Sequence, residues 1–254
     1  MSLKDALKQS FLARYLMRKL RARRFAGRPR EEVFGEIYQR NSWGSPESLS
    51  GPGSELAQTQ ALRAALPKLM RRLDVRTFLD APCGDFHWMK EVDLGAVYYV
   101  GIDIVPRVIA ENQARYGRAG EAQQGGREFL HGDLVAPSTP LPAADLVMCR
   151  DCLMHLSFAE AQAALAHLCA TGAAHLLITT FSGTTRNADI GRGGWWPMNL
   201  QLPPFNLPAP LELLAENPPD AEGRRLGKSL GLWKREMIAT TETLDFPDAT
   251  VRER

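Results

Sequence analysis

TFLDAPCGDF, residues 77–86, is the stretch on which the fold turns. A short apolar run ends in an acid, Asp80. A turn built on Pro82 and Gly84 follows, and a helix is expected to start near Phe86. In an α/β protein a ligand sits in the crevice at the carboxyl ends of parallel strands. Two further apolar runs end the same way, at Asp103 in YYVGIDIV and at Asp133 in EFLHGDLV. The three acids are spaced by 23 and 30 positions, and each gap has room for one strand and one helix.

The rest of the chain extends this alternation. Strands are expected at residues 77–79, 97–102, 128–130, 145–149 and 175–179. Pro106 suits the first turn of a helix ending near Gly117. Ser157 and Glu160 form a capping box for a helix that runs through Cys169 and stops at Gly172. Residues 211–215 and 228–239 read as a closing antiparallel pair. The expected fold is α/β: a doubly wound, mostly parallel seven-stranded sheet with a closing antiparallel strand (Rossmann-like) and an N-terminal helical extension.

Upstream, residues 31–40 and 59–73 carry helical spacing, with Pro67 expected to kink or divide the second helix. Between them lies a loop rich in Ser, Gly and Pro, with Trp43 at its start, which reads as a lid or as a surface loop plugged by Trp43. Residues 181–210 break the alternation with five Pro, four Gly and the pair Trp195-Trp196. So long an irregular stretch in a compact domain is usually functional. The organisation expected is a basic leader over 1–30, helices and lid loop over 31–74, and a core over 75–254 with a substrate loop at 181–210.

At 254 residues with 44% hydrophobic and 24% charged content, the chain suits an ordinary globular core. It has no apolar run of about eighteen residues and no signal-peptide h-region, so a cytoplasmic location is expected. Residues 1–30 hold ten Lys/Arg against one Asp, a net +9, whereas the remainder carries 21 basic and 28 acidic residues, a net −7. Residues 1–24 have amphipathic helical spacing. They suit either peripheral contact with an anionic membrane or packing on the body or on a dimer mate. The acidic body opposes nucleic acid as a partner. Cys149 and Cys152 form a CxxC, but Cys149 ends a buried strand, a poor place for a reactive thiolate.

Charge separates the candidate nucleoside ligands. A dinucleotide needs glycines where the backbone meets its pyrophosphate. The turn at 81–85 has Gly84 alone, with Asp80 and Asp85 beside it. At about 4 Å and an effective dielectric near 20, each carboxylate–phosphate pair costs about 4 kcal/mol before screening. S-adenosylmethionine, with its sulfonium and ammonium, suits these acids better than NAD does.

Residues 78–86 resemble the first motif of class I S-adenosylmethionine-dependent methyltransferases. Gly101-Ile102-Asp103 is similar to the second motif, Gly132-Asp133-Leu134 to the third, and Asp145-Leu146-Val147 with Arg150-Asp151 to the fourth. The likeness spans about residues 75–180. It departs from the family at Pro82-Cys83-Gly84, where a pair of glycines is usual. The resemblance implies that Gly84 leaves room for the methionine part and that Asp80 faces its amino group. It implies that Asp103 takes the ribose diol, with Ile104 adjacent, and that Asp133 and Leu134 hold the adenine. Pro82, Asp85 and Arg150 complete the expected cofactor set.

For chemistry, Asp151 and His155 are i, i+4 and are expected on one helix face as the catalytic pair. His155 suits a base near neutrality. Asp151 also suits orienting His155, or holding a divalent ion with Asn187 or Asp189; no metal is predicted. Trp43, Asn187, Asp189, Trp195, Trp196 and Asn199 are the expected acceptor wall, since aromatic faces and amides suit sugars. The fourth strand lacks the Asn-Pro-Pro-aromatic turn of enzymes acting on planar nitrogens. O-methylation of a saccharide or other small hydroxylated molecule is therefore the leading expectation. A nucleotide-dependent oxidoreductase and a non-catalytic cofactor-binding module stand as alternatives.

Overall fold

The computed structural model of the chain describes residues 24–25, 27–119, 125–216 and 227–239. The reading of the leader as an amphipathic helix lies almost wholly outside them. Among the described residues no helix is long and apolar enough to cross a membrane.

Helix α1 (Arg30–Gln39) and helix α2 (Leu56–Arg72) precede the sheet. Strands β1 (Thr77–Asp80), β2 (Tyr98–Asp103), β3 (Arg127–His131), β4 (Leu146–Cys149) and β5 (His175–Phe181) follow. Helix α3 (Pro106–Tyr116) connects β2 to β3, and α4 (Phe158–Ala170) connects β4 to β5. Strands β6 (Glu212–Ala215) and β7 (Lys228–Lys234) and the short helix α5 (Arg235–Ala239) end the described chain. The seven strands lie in the order β3-β2-β1-β4-β5-β7-β6. The pairs among β1 to β5 are parallel, and β7 is antiparallel to both β5 and β6. Strand order therefore reverses between β1 and β4, and the crevice at that switch point is where a ligand belongs.

Of the two outcomes expected at Pro67, division of the helix does not occur, since Pro67 lies inside α2. The apolar face of Leu62, Leu66, Leu69 and Met70 is buried on both sides of the proline, and that packing holds the helix through it. Nor does a helix follow the turn after β1. Phe86 has φ 57°, outside the right-handed helical region, and only the 3₁₀ turn Met89–Glu91 forms before β2. This irregular crossover packs Phe86, Trp88, Met89 and Val92 onto one sheet face with α2. The opposite face is covered by α4 and by Met198, Leu200, Phe205 and Leu207 from the irregular stretch. The capping box at Ser157 and Glu160 forms as expected.

Gly231 pairs with Ile178 and Leu213 at the antiparallel end of the sheet. A Cβ there would lie 2.4 Å from the ring of the fully buried Trp233. Gly231→Ala is expected to lower stability by about 1–3 kcal/mol in urea unfolding. An unchanged midpoint would show that this end of the sheet yields freely.

Candidate functional site

Asp80 and Asp103 end neighbouring strands and are only 2% and 4% exposed. Tyr99 Oη donates to Asp80 Oδ2 at 2.8 Å. Asp103 accepts from the Val105 N–H at 3.0 Å and from the Gly84 N–H at 3.1 Å. Burial pushes the Asp80 carboxyl up to about 7, against the pull of Tyr99 and Arg150. Burial likewise pushes Asp103 up to about 6, against its backbone hydrogen bonds. Both line one cleft at the carboxyl edge of the sheet, which encloses about 870 Å³ with its open mouth included. Two acids with elevated pKa, facing one cleft, suit a ligand that brings positive charge and hydroxyl donors.

Gly84 forms the floor between them. It takes φ 57°, and a Cβ would lie 2.3 Å from Ser50 Oγ. Pro82 and Ile104 also line the cleft, but Asp85 does not. Asp85 instead accepts from Ser48 Oγ, the Leu49 N–H and Ser50 Oγ at 2.7–3.0 Å. It is the clasp of the loop after α1, which corrects its assignment to the cofactor. That loop and α1 roof the cleft. Tyr38 Oη is 2.9 Å from Ser50 Oγ, and Trp43 lies between Tyr38 and His155 at ring distances of 5.3 and 5.6 Å.

Asp133 and Leu134 line the far end. Asp133 is not left as an open carboxylate: Arg30 meets Asp133 Oδ2 at 2.7–2.8 Å, and the Val135 N–H donates to Oδ1. Arg30 also reaches Glu160. Of the three strand-end acids, two have hydrogen-bond donors but no ion-pair partner among the described residues, and the third is shared with α1.

At the fourth strand end, Arg150 and Asp151 face the cleft from beside β5 and β7. Asp151 takes φ 51°, and its N–H donates to Thr179 Oγ1 at 2.9 Å. The two candidate catalytic residues do not share an α-helix, because that backbone and the 3₁₀ turn Leu153–His155 intervene. Both nonetheless line the cleft. Burial alone would raise the Asp151 carboxyl, but Arg150 and Lys228 hold it well below the usual carboxylate range. Arg150 is buried, lies over the Trp88 ring at 5.0 Å, pairs with Glu216 and donates to the Gly53 carbonyl at 2.6 Å. It thus ties the roof loop to the sheet. His155 Nδ1 is 2.7 Å from the Gly194 carbonyl, which must accept, so Nδ1 carries the proton and Nε2 is the basic nitrogen.

The expected acceptor wall divides. Trp43 lines the cleft, whereas Asn187, Asp189, Trp195, Trp196 and Asn199 do not. Asn187 bonds Asn199 and the Leu202 and Pro203 carbonyls, which staples the irregular stretch to itself. Asn199 donates to the Thr184 carbonyl, and Asp189 accepts from the Phe158 and Ile190 N–H groups. Trp196 Nε1 donates to the Arg186 carbonyl, and Trp195 is edge-on to Phe181 and 44% exposed. The stretch serves as a buttress: the Gly193 and Trp196 N–H groups hold the His155 and Met154 carbonyls. Asn187 and Asp189 are spent in these bonds and do not join Asp151. Among the described residues no group of three His, Cys, Asp or Glu is arranged to hold a metal ion.

The cleft also recruits residues that carried no sequence signal. Arg30, Phe34 and Tyr38 come from α1, Trp88 from the crossover and Leu156 from the turn before α4. Lys228 and Glu216 stand behind Asp151, 77 and 65 positions away in the chain. Their roles depend on sheet order, which no local pattern reveals.

No family model matches the chain, and no curated protein matches it. Solved structures similar in fold include the methyltransferase domain of bacterial CtHen1, at 14% identity and TM-score 0.49 over 71% of this chain and 100% of that chain. Human N-acetylserotonin methyltransferase with S-adenosylmethionine is 16% identical at TM-score 0.47, over 89% of this chain and 68% of that one. Magnesium protoporphyrin IX methyltransferase from Synechocystis, with S-adenosylhomocysteine, is 16% identical at TM-score 0.42, over 67% and 73%. Each is a remote likeness of fold.

The two raised acids make stability depend on pH. Asp80 titrates at about 7 in the folded chain, against an ordinary carboxyl value of 3.8 once unfolded. Between those values the folded form binds the proton more tightly. Stability is therefore full below that window and falls as pH rises through about 7. Asp80→Asn is expected to stabilise the protein by about 1–3 kcal/mol at about pH 8 and by less at about pH 5, measured by urea unfolding. A loss of stability at the higher pH would contradict the burial argument.

Proposed function

We propose that the chain is an S-adenosylmethionine-dependent methyltransferase acting on a small hydroxylated acceptor, with a saccharide as the leading case. The observation that carries this reading is the buried pair Asp80 and Asp103, at the tips of adjacent strands in one cleft.

The residues present fit the cofactor. Asp80 suits an ammonium, since its charge is only partly met by Tyr99. Asp103, already held by two backbone N–H groups, keeps lone pairs for a ribose diol. Leu134 and Ile104 offer apolar contact to a base, and Asp133 can share its oxygens between Arg30 and an adenine amine. When bound, S-adenosylmethionine supplies an electrophilic methyl whose transfer forms the acceptor–carbon bond as the carbon–sulfur bond breaks, leaving a neutral thioether.

The chain's own residues position and deprotonate. The α1 roof, with Tyr38 and Trp43, closes the cleft over the reacting groups, and closure of this kind excludes water and orients reactants. His155, fixed in one tautomer by the Gly194 carbonyl, presents Nε2 to take the acceptor's hydroxyl proton. Asp151, held as an anion by two cations, is no store for that proton.

The oxidoreductase alternative loses ground on the same geometry. Pyrophosphate sites use a helix N-terminus behind the first turn, and here irregular chain and a 3₁₀ turn stand in its place. Two buried acids there would repel the diphosphate.

Calorimetric titration tests the reading. The full chain is expected to bind S-adenosylhomocysteine and not NAD, and Asp103→Ala is expected to weaken that binding about 10- to 100-fold. Saturable NAD binding without S-adenosylhomocysteine binding would refute it.

A further inference from the structure

The two parts of the roof are fastened differently. The loop after α1 is tied through its main chain: the Leu49 N–H donates to Asp85, and the Gly53 carbonyl accepts from the buried Arg150. Helix α1 is fastened by side chains near its start. Arg30 meets Asp133 Oδ2 at 2.7–2.8 Å and Glu160 Oε1 at 3.3 Å, and Glu31 is 3.1 Å from His131 Nε2. Arg192 shares Glu160 and donates to the Arg28 carbonyl at 2.6 Å. The Arg30 and Asp133 side chains keep 21% and 23% of their surface exposed. Ion pairs that reach water are weak and are screened by salt.

The packing of α1 is local as well. Phe25, Val33 and Ile37 form a small cluster of their own, apart from the two cores on the sheet faces. The chain turns with positive φ at Gly27 before the helix and at Gly44 beyond it, and a Cβ at either would meet open space. Glycines so placed let the chain pivot without a clash. On its inner face α1 presents Arg30, Phe34 and Tyr38, about one turn apart, to the cleft that Asp80 and Asp103 line. A ligand shifts a conformational equilibrium only through contacts that one state has and the other lacks. These three side chains offer such contacts when α1 is down.

We propose that α1 is the moving lid of the cleft, pivoting at Gly27 and Gly44 beside a fixed loop, and that Arg30 latches it on Asp133 and Glu160 when a nucleoside cofactor is in place. The lid is thus the helix and not the serine-rich loop. Arg30 is a positioning residue, since it acts by holding Phe34 and Tyr38 over the cleft. The inference rests on the cofactor assignment behind the methyl-transfer reading, and it adds how the cleft admits and retains that cofactor.

Hydrogen exchange read by mass spectrometry on the full chain tests it without the acceptor. Saturating S-adenosylhomocysteine is expected to slow exchange of the α1 amides by about tenfold or more and that of the loop amides at 48–54 by less than about threefold. Release of this ligand, which has no net charge, is followed by stopped flow. It is expected to quicken about tenfold in Arg30→Met and about threefold or less in Arg30→Lys. Raising salt from about 0.05 to about 0.5 M is expected to quicken release from wild type and to leave Arg30→Met nearly unchanged, a dependence that loss of packing alone would not produce. Unchanged α1 exchange in wild type, a comparison that needs no variant, would overturn the inference and leave cofactor binding standing. Equal protection of α1 and the loop would overturn the assignment of the lid to the helix, and wild-type release from Arg30→Met would overturn the latch. Failure of wild type to bind S-adenosylhomocysteine would overturn the methyl-transfer reading itself.

Discussion

Two carboxylates kept out of water at the tips of β1 and β2 are the constraint around which the structure is arranged. A buried carboxylate is unfavourable unless something compensates it. Asp103 has two backbone donors and Asp80 has one phenol, and in both the carboxyl stays above its ordinary range. The chain retains this cost at the switch point of its sheet, where a ligand can relieve it. A cation near Asp80 and hydroxyl donors at Asp103 would do so, whereas a diphosphate would add to the cost.

The rest of the site holds those two acids in a closed, ordered cleft. Helix α1 is anchored at one end by Arg30 on Asp133 and Glu160, and the loop after it is clasped by Asp85 and by Arg150 through the Gly53 carbonyl. The irregular stretch before β6 supports the turn that carries His155. Roof and floor are thus joined by charged bonds, and the buried Arg150–Glu216–Lys228–Asp151 cluster links the closing strands to the cleft. Such a cluster does little for stability compared with apolar packing, but it fixes geometry.

Local patterns carried much of this. The strand ends at Asp80, Asp103 and Cys149, the capping box at Ser157 and the closing antiparallel pair were legible, because each rests on period, caps or turn residues close in sequence, although the second strand of that pair ends at Lys234 and residues 235–239, expected to continue it, form α5. The helix expected near Phe86 failed because the positive φ of that residue is set by tertiary packing. Asp151 and His155 meet in the cleft for a different reason from the one their spacing suggested, through a 3₁₀ turn and a left-handed backbone. Asp85 looked like a ligand residue because it neighbours Gly84, yet its side chain points to the roof loop. The tryptophan pair at 195–196 looked like a binding wall because aromatic residues in a Gly/Pro-rich stretch suit either binding or anchoring; the indole N–H of Trp196 is tied to the Arg186 carbonyl, while Trp195 stands edge-on to Phe181 and outside the cleft lining. Arg30, Lys228 and Glu216 were illegible, since their partners are fixed by sheet order alone.

Proton release on binding addresses the central electrostatic match most directly. S-adenosylmethionine is titrated calorimetrically at about pH 6.5 in buffers of different ionisation enthalpy, where Asp80 and Asp103 are partly protonated. Binding of a cationic nucleoside to these acids lowers their pKa and sends a fraction of a proton to the buffer, and Asp80→Asn reduces that fraction. Binding with no proton release, or with proton uptake, would contradict the match between the buried carboxylates and a positively charged ligand.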